Sequence, residues 1–202
     1  MLLNKFINSL KNRPKVFTFK KVLLWFYRIF SIKILSRIKT WLYFNSKDLA
    51  LGSNVKISGL CSDIKIGINN NFYDQCRFHF GPESSFQSGD NIILSYNVIV
   101  ACNLKITLGN NVMIGEYSSL RDTTHNYDVK TPMINAQDIS KEIFIGNDVW
   151  IGRGCLICEG SYIEDGVVVA AHSVVKGRLL RNGIYGGCPA KIIKFRFTED
   201  DK

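Results

Sequence analysis

Large aliphatic residues recur at every sixth position through the C-terminal part of the chain: Ile145, Ile151, Ile157, Ile163, Val169 and Val175. Four residues after each of the first five stands a small or β-branched side chain, in order Val149, Cys155, Ser161, Val167 and Ser173. An interval of six fits neither the roughly 3.6-residue turn of an α-helix nor the two-residue alternation of a flat strand. It fits a coil of three short strands with a corner between each, whose anchors point inward and stack on the next coil. Gly146 and Gly152 follow the first two anchors, and a glycine there is expected to let the backbone turn the corner.

The same phase runs back towards the N-terminus with interruptions. Leu108-Gly109, Ile114-Gly115 and Leu120 form a second block, followed four residues on by Val112, Ser118 and Thr124. Leu94 and Val100 form a third, Ile66-Gly67, Phe72 and Phe78 a degenerate fourth, and Leu51-Gly52 with Val55 and Ile57 opens the series. The breaks predict extra residues at corners. The longest runs from about Arg121 to Glu142, is rich in Asp, Asn and Thr, and separates two well-phased blocks. A long polar loop interrupting a regular solenoid is where binding and catalysis concentrate.

Charge divides the chain. A length of 202 residues suits one domain with an extension, and an apolar fraction of 46% is ample for a core. Met1 to Ser46 holds ten Lys or Arg and no Asp or Glu, which leaves sixteen basic and seventeen acidic residues for Lys47 to Lys202. The net charge of +9 therefore belongs to the first segment. There Val22-Leu-Leu-Trp-Phe-Tyr-Arg-Ile-Phe-Ser-Ile-Lys-Ile-Leu35 is apolar but broken by Arg28 and Lys33, short of the roughly 20 apolar residues that cross a bilayer. No small-residue cleavage site follows, which argues against a secretory leader. Cations among Trp25, Phe26, Tyr27 and Phe30 suit a helix lying on an anionic membrane surface, and equally a helical cap on the solenoid end or on its oligomer mates. Nucleic-acid binding is not expected, because the charge is confined to one apolar segment with no recognisable nucleic-acid module. The expected organisation is a basic, aromatic helical extension over 1–46, a repeat domain over 47–196 with its insertion over 121–142, and an acidic tail over 197–202. The expected location is the cytoplasm, with peripheral contact to the cytoplasmic membrane through residues 1–46.

Cys61, Cys76, Cys102, Cys155, Cys158 and Cys188 are scattered, and the one Cys-x-x-Cys pair lies inside the six-residue register, where Cys155 takes an inward small-residue place. A structural zinc site needs a second ligand pair at suitable spacing. Reduced, partly buried thiols are expected instead.

The stretch Ile145-Gly-Asn-Asp-Val-Trp-Ile-Gly-Arg-Gly-Cys155, continued by Tyr185-Gly-Gly-Cys-Pro-Ala-Lys-Ile-Ile-Lys194, resembles the C-terminal half of hexapeptide-repeat acyltransferases. More narrowly, it is similar to the maltose, galactoside and streptogramin O-acetyltransferases and to relatives that decorate bacterial capsules and lipopolysaccharide. The resemblance covers roughly Leu51 to Arg196 and is specific from Ile106 onward. It implies an all-β fold, a left-handed parallel β-helix, which is an exception to the usual right-handed crossover, assembled as a homotrimer. It further implies transfer of an acetyl group from acetyl-CoA to a saccharide hydroxyl, with no metal.

Residue roles follow from the resemblance. His125, in Arg121-Asp-Thr-Thr-His-Asn-Tyr-Asp128, stands where those enzymes place a catalytic histidine. An imidazole near neutrality takes the proton from a sugar hydroxyl as that oxygen attacks a thioester. Asp122 or Asp128 would orient the ring, and the backbone N–H of Arg153, mapped by the Ile151-Gly152 motif, would meet the developing oxyanion. Trp150, at an outward position, would pack against His125 across a subunit boundary or border the acceptor pocket, and Asn126 would contact the acceptor. The donor would lie along the stacked corners at Gly152, Arg153 and Ala170, with its phosphates held by cations after the last repeat, first Lys191 and Lys176, then Arg196, beside Arg178, Arg181 and Lys194.

Three other classes remain to be weighed. A γ-type carbonic anhydrase shares the β-helix but places two zinc histidines five residues apart, whereas His79, His125 and His172 are separated by 46 and 47 residues. Nucleotide-sugar N-acetyltransferases usually carry an N-terminal nucleotide-binding βαβ unit, and Met1 to Ser46 has no Gly-rich strand-to-helix turn. A catalytically dead scaffold would not need His125, Trp150 and Pro189-Ala190-Lys191 together.

Overall fold

The six-residue rhythm becomes a three-faced coil. In the computed structural model, which describes residues 38, 42–46 and 48–197, short strands stack into three sheets of eight, six and six strands, with one two-stranded ribbon outside them. The first face comprises Ala50–Leu51, Asn71–Phe72, Ile93–Leu94, Met113–Ile114, Trp150–Ile151, Val168–Val169, Gly183–Gly186 and Lys191–Phe195. The second comprises Lys56–Ser58, Arg77–Phe80, Ile99–Cys102, Ser119–Arg121, Leu156–Ile157 and Val174–Val175. The third comprises Asp63–Ile66, Ser85–Ser88, Lys105–Leu108, Ile143–Ile145, Tyr162–Ile163 and Arg178–Leu179. Neighbours in each sheet pair in parallel until the last strand, which folds back antiparallel on Gly183–Gly186 and closes the coil. The protein is thus a parallel β-helix.

Every expected anchor from Ile145 to Val175 is buried, as are Val149, Cys155, Ser161, Val167 and Ser173 four residues after the first five. Each fully buried Ile or Val contributes roughly 1.5–3 kcal/mol. The hydroxyls of Ser161 and Ser173, placed at these inward positions, donate to the carbonyls of Cys158 and Ala170 at 2.7 Å, so the small polar residues cost the core no unmet hydrogen bond. The early coils look degenerate in sequence because aromatic rings replace the aliphatic stack. Phe44 packs edge-on against Phe72 and Phe78, at centroid distances of 5.8 and 5.2 Å, and Phe80 and Phe86 continue the stack. Phe44 thereby belongs to the solenoid core.

The glycines do a different job from the expected one. Gly109 and Gly152 do not carry the left-handed conformation. That falls two residues later, at Asn111 (φ 57°), in a column with Asn69, Asn91, Asp148, Gly166 and Asn182, and at Gly154 (φ 65°), in a column with Asn54, Gln75, Asn97, Tyr117 and His172. A Cβ at Gly109 or Gly152 would come within 2.7 Å of the next coil's backbone, so glycine is required there by the close approach of stacked corners.

Paired residues on successive coils of the first face are Leu51, Phe72, Leu94, Ile114, Ile151 and Val169. The step from Ile114 to Ile151 is about twice the regular 18-residue step from Ile151 to Val169, and the surplus is the insertion. Arg121 still pairs on the second face and Ile143 on the third, so the chain leaves and rejoins the coil at the corner between them. Thr124, expected to fill the inward place after Leu120, instead pairs with Ile139 in an antiparallel ribbon, Thr123–Thr124 against Ile139–Ser140.

The chain divides into two units, residues 1–38 and 39–202. The first, apart from Ile38, lies outside the described residues, and with it most of the basic extension expected over 1–46; so does the tail beyond Phe197. Among the described residues no helix is long and apolar enough to cross a membrane. All six cysteines are free thiols. Burial pushes the thiol of Cys76 up to about 11 and raises those of Cys102, Cys155 and Cys158 as well.

Candidate active site

The ribbon at the second corner holds His125 and Asp138 face to face. Thr124 pairs with Ile139, so the next residue outward on each strand, His125 and Asp138, meets its opposite number across the ribbon. Their side chains bond through Nδ1 and Oδ1 at 2.7 Å. The imidazole is 81% exposed and the carboxylate 49%, so the pair is presented to solvent and not locked in the core. Ala101, Asn103, Arg121, Thr123 and Thr124 complete the walls of a cleft of about 330 Å³ beside it.

The carboxylate that meets His125 is that of Asp138, while Asp122 and Asp128, to which the sequence pointed, make other contacts. Asp122 is fully buried, and its carboxylate accepts from the N–H groups of Asn103 (2.8 and 3.1 Å) and Leu104 (2.8 Å) and from the Thr123 hydroxyl (3.1 Å). Those donors, left over where the corner turns, consume the acceptor capacity that an imidazole would need. The Asp128 backbone N–H is taken up by a local turn with the Asn126 side chain at 3.1 Å. Sequence reasoning missed Asp138 because the twelve residues between it and His125 carry no periodicity, and only the ribbon's antiparallel pairing brings the two together.

Gly152, Arg153 and Ala170 come together as expected. Ile151 pairs with Val169, so Gly152 stacks on Ala170 at the corner between the first and second faces, with Gly115 on the preceding coil. Gly186 follows, 3.3 Å from the Ala170 Cβ by its own ideal Cβ, and Lys191 pairs with Gly186 in the closing hairpin. Gly115, Gly152 and Ala170 leave this corner nearly bare of side chains, while the Ile193 side chain lies against Gly186 with Lys191 beside it, a surface that fits the extended arm and phosphate of a coenzyme A thioester. The Arg153 side chain itself pairs with Glu116 at 3.4 Å.

The other expected phosphate cations do not form one group. Lys176 lies at the far corner of the second face, where Glu159, at 3.0 Å, raises its ammonium above the ordinary lysine range. Arg178 and Arg181 bind Glu164 and Asp165 around the third face. Arg196 ties the coil together, its Nη1 donating to Asp148 at 2.8 Å and to the Gly166 carbonyl at 2.9 Å. Residues close in sequence are spread around a coil because a turn of the solenoid carries successive strands to different faces.

Trp150 is outward and 53% exposed, in a row on the first face with Ile93, Met113 and Val168. His125 and the Gly152–Lys191 strip flank opposite corners of the second face, so a single chain does not bring base and strip to one point. His79, His125 and His172 stand respectively on the second face, in the ribbon and at the first corner, and among the described residues no three potential ligands converge on a metal position.

The profile of bacterial transferase hexapeptides (six repeats) matches residues 142–177. A putative acetyltransferase of Saccharomyces cerevisiae is 30% identical over 146 residues, 72% of this chain and 70% of the relative. A probable acetyltransferase of Mycobacterium tuberculosis is 33% identical over 115 residues, 56% of this chain and 38% of the relative. A putative lipopolysaccharide biosynthesis O-acetyl transferase of Escherichia coli is 31% identical over 113 residues, 52% of this chain and 58% of the relative. The chain thus spans less than two thirds of the length of the last two. An N-acyltransferase from Bacillus cereus, solved with dTDP-4-amino-4,6-dideoxyglucose and coenzyme A, has the same fold at a TM-score of 0.61 and 19% identity, over 76% of this chain and 84% of that one.

Proposed function

The chain belongs to the hexapeptide-repeat acetyltransferase family, and from that premise we propose that it moves the acetyl group of acetyl-CoA to a saccharide hydroxyl in surface polysaccharide synthesis, with His125 as general base. The observation that carries the reading is the His125–Asp138 pair at 2.7 Å on the wall of an open cleft. An ionised carboxylate only accepts, so the ring proton sits on Nδ1 and Nε2 keeps a lone pair for the acceptor. Nε2 removes the hydroxyl proton as the sugar oxygen bonds to the thioester carbonyl carbon. The Arg153 backbone N–H donates to the resulting oxyanion. When the carbon–sulfur bond breaks, the imidazolium returns its proton to the departing thiolate, so no acyl-enzyme forms. The nearly bare corner of Gly115, Gly152 and Ala170 holds the donor arm, and Lys191 is the cation assigned to its phosphates, while Lys176, at the opposite corner beside Glu159, is not.

The same reading calls for a homotrimer. Base and strip sit at opposite corners of one chain, and a cyclic arrangement sets the ribbon of one copy against the Gly152 corner of the next, covering Trp150 and Met113. Asn126, next to His125 in the chain, is the residue assigned to contact the acceptor. Support for oxygen over nitrogen as the attacking atom comes from the O-acetyl transferase relative. That choice is testable on the product, because an ester is released by mild alkali and an amide is not.

His125→Ala is expected to lower sugar-dependent release of coenzyme A roughly 10²–10⁴-fold. Asp138→Asn is expected to lower it by less, roughly 10–10³-fold, since a half-exposed carboxylate orients more weakly than a buried one. Near-normal turnover by His125→Ala would remove the ring from the mechanism.

A further inference from the structure

The second face carries two outward rows over its N-terminal coils. One aligns Lys56, Arg77, Ile99 and Ser119, and the other aligns Ser58, His79, Ala101 and Arg121. Lys56 and Arg77 are direct register partners, and like charges set opposite each other in a sheet destabilise it. Several cations elsewhere on the coil are compensated, Lys65 by Asp63, Lys105 by Glu142, Lys176 by Glu159 and Arg178 by Glu164. Among the described residues Lys56, Arg77 and Arg121 have no carboxylate partner, and Met1 to Ser46 contains no acid that could supply one. A cavity of about 510 Å³ opens over this patch, lined by Tyr43, Lys56, Ser58, Arg77 and His79. In it the Ser58 hydroxyl lies 2.7 Å from His79 Nδ1. When that hydroxyl donates to Nδ1, the ring proton sits on Nε2 and faces outward as a donor.

Arg121 also lines the His125 cleft, and Ala101 lines it between Arg121 and His79. The surface from Ser58 to Arg121 is therefore continuous across three strand intervals, roughly 14 Å at ordinary strand spacing. One end holds the proposed base and the other an uncompensated anion site, with only a methyl group raised between them. We propose that Lys56, Arg77 and His79 bind the diphosphate of a diphosphate-linked acceptor whose distal sugar hydroxyl reaches His125. A guanidinium meets two phosphate oxygens in its plane, and a lysine adds a point charge. The bound anion relieves the Lys56–Arg77 repulsion. The sugar chain crosses Ala101, where a larger side chain would block it. This assignment rests on His125 as the base for its orientation, but not for the existence of the anion site.

The test uses the full chain and inorganic pyrophosphate. Three histidines give a simple imidazole spectrum, and the His79 resonance is expected to move and saturate with pyrophosphate, with an affinity that falls as salt rises. The double variant Lys56→Ala/Arg77→Ala is expected to raise the dissociation constant read at His79 at least about tenfold. Its melting temperature should stay level or rise, since a like-charge contact is removed. In turnover, a disaccharide on uridine diphosphate and one on farnesyl diphosphate in micelles separate a nucleotide carrier from a lipid carrier. Preference for either over the uncharged disaccharide supports the assignment, and that preference should collapse about tenfold or more in the double variant. An unmoved His79 resonance, equal binding by the variant, or no preference for a diphosphate-linked acceptor each overturns it. Saturable binding at His79 in a protein that acetylates no sugar would leave the anion site standing and refute the proposed chemistry instead.

Discussion

Replacing Asp122 by alanine removes four hydrogen bonds at the corner from which the active ribbon departs. Its carboxylate receives the Asn103 N–H at 2.8 and 3.1 Å, the Leu104 N–H at 2.8 Å and the Thr123 hydroxyl at 3.1 Å. Bonds to a charged acceptor contribute about 1.5–3 kcal/mol each when both partners are sheltered. Asn103 and Leu104 are themselves exposed, so water partly replaces the lost acceptor. The net cost of Asp122→Ala is then about 3 kcal/mol, and of Asp122→Asn, which keeps one acceptor oxygen, about half that. For a domain of this size about 3 kcal/mol lowers the melting temperature by roughly 6–12 °C. Scanning calorimetry with circular dichroism reads this directly, and turnover measured well below the transition should fall far less than in Asp138→Asn. An unchanged melting temperature together with a hundredfold loss of turnover would refute the reasoning and return Asp122 to the role of orienting acid.

Assembly and thiol chemistry supply two more expectations. Light scattering should give three chains per particle, and Met113→Glu with Trp150→Glu, which puts charge into the apolar row of the first face, should give an inactive monomer; an active monomer sinks the shared-site geometry. At neutral pH a thiol reagent should titrate Cys188 fast, Cys61 and Cys158 slowly, and the buried Cys76, Cys102 and Cys155 only on unfolding; several equally fast thiols would contradict the burial. Because burial raises the pKa of these thiols, their contribution to stability is whole below the ordinary thiol range. It is lost as pH climbs from there towards the folded value, about 11 for Cys76, and alkaline melting curves check that direction.

The sequence alone determined the coil. Anchors at Ile145 to Val175, with small partners four residues on, can be buried together only if each six-residue unit is one face of a three-sided turn, and the long polar break at Arg121 to Glu142 had to leave that turn. The six-residue spacing also stacks Gly152 on Ala170, residues that the family resemblance names together, because stacking brings residues one coil apart into contact. Tertiary structure decided what no period encodes. Asp138 reaches His125 through the antiparallel pairing of an irregular ribbon, while Asp122 is claimed by backbone donors of the coil below it. The same holds for Arg196, whose partner Asp148 lies 48 residues away in sequence, and for Lys56 and Arg77, which face each other only because the coil repeats at that length. Repetition fixes the register of a solenoid from short-range pattern, but electrostatic partners are chosen by geometry across coils, and that appears only once the chain is folded.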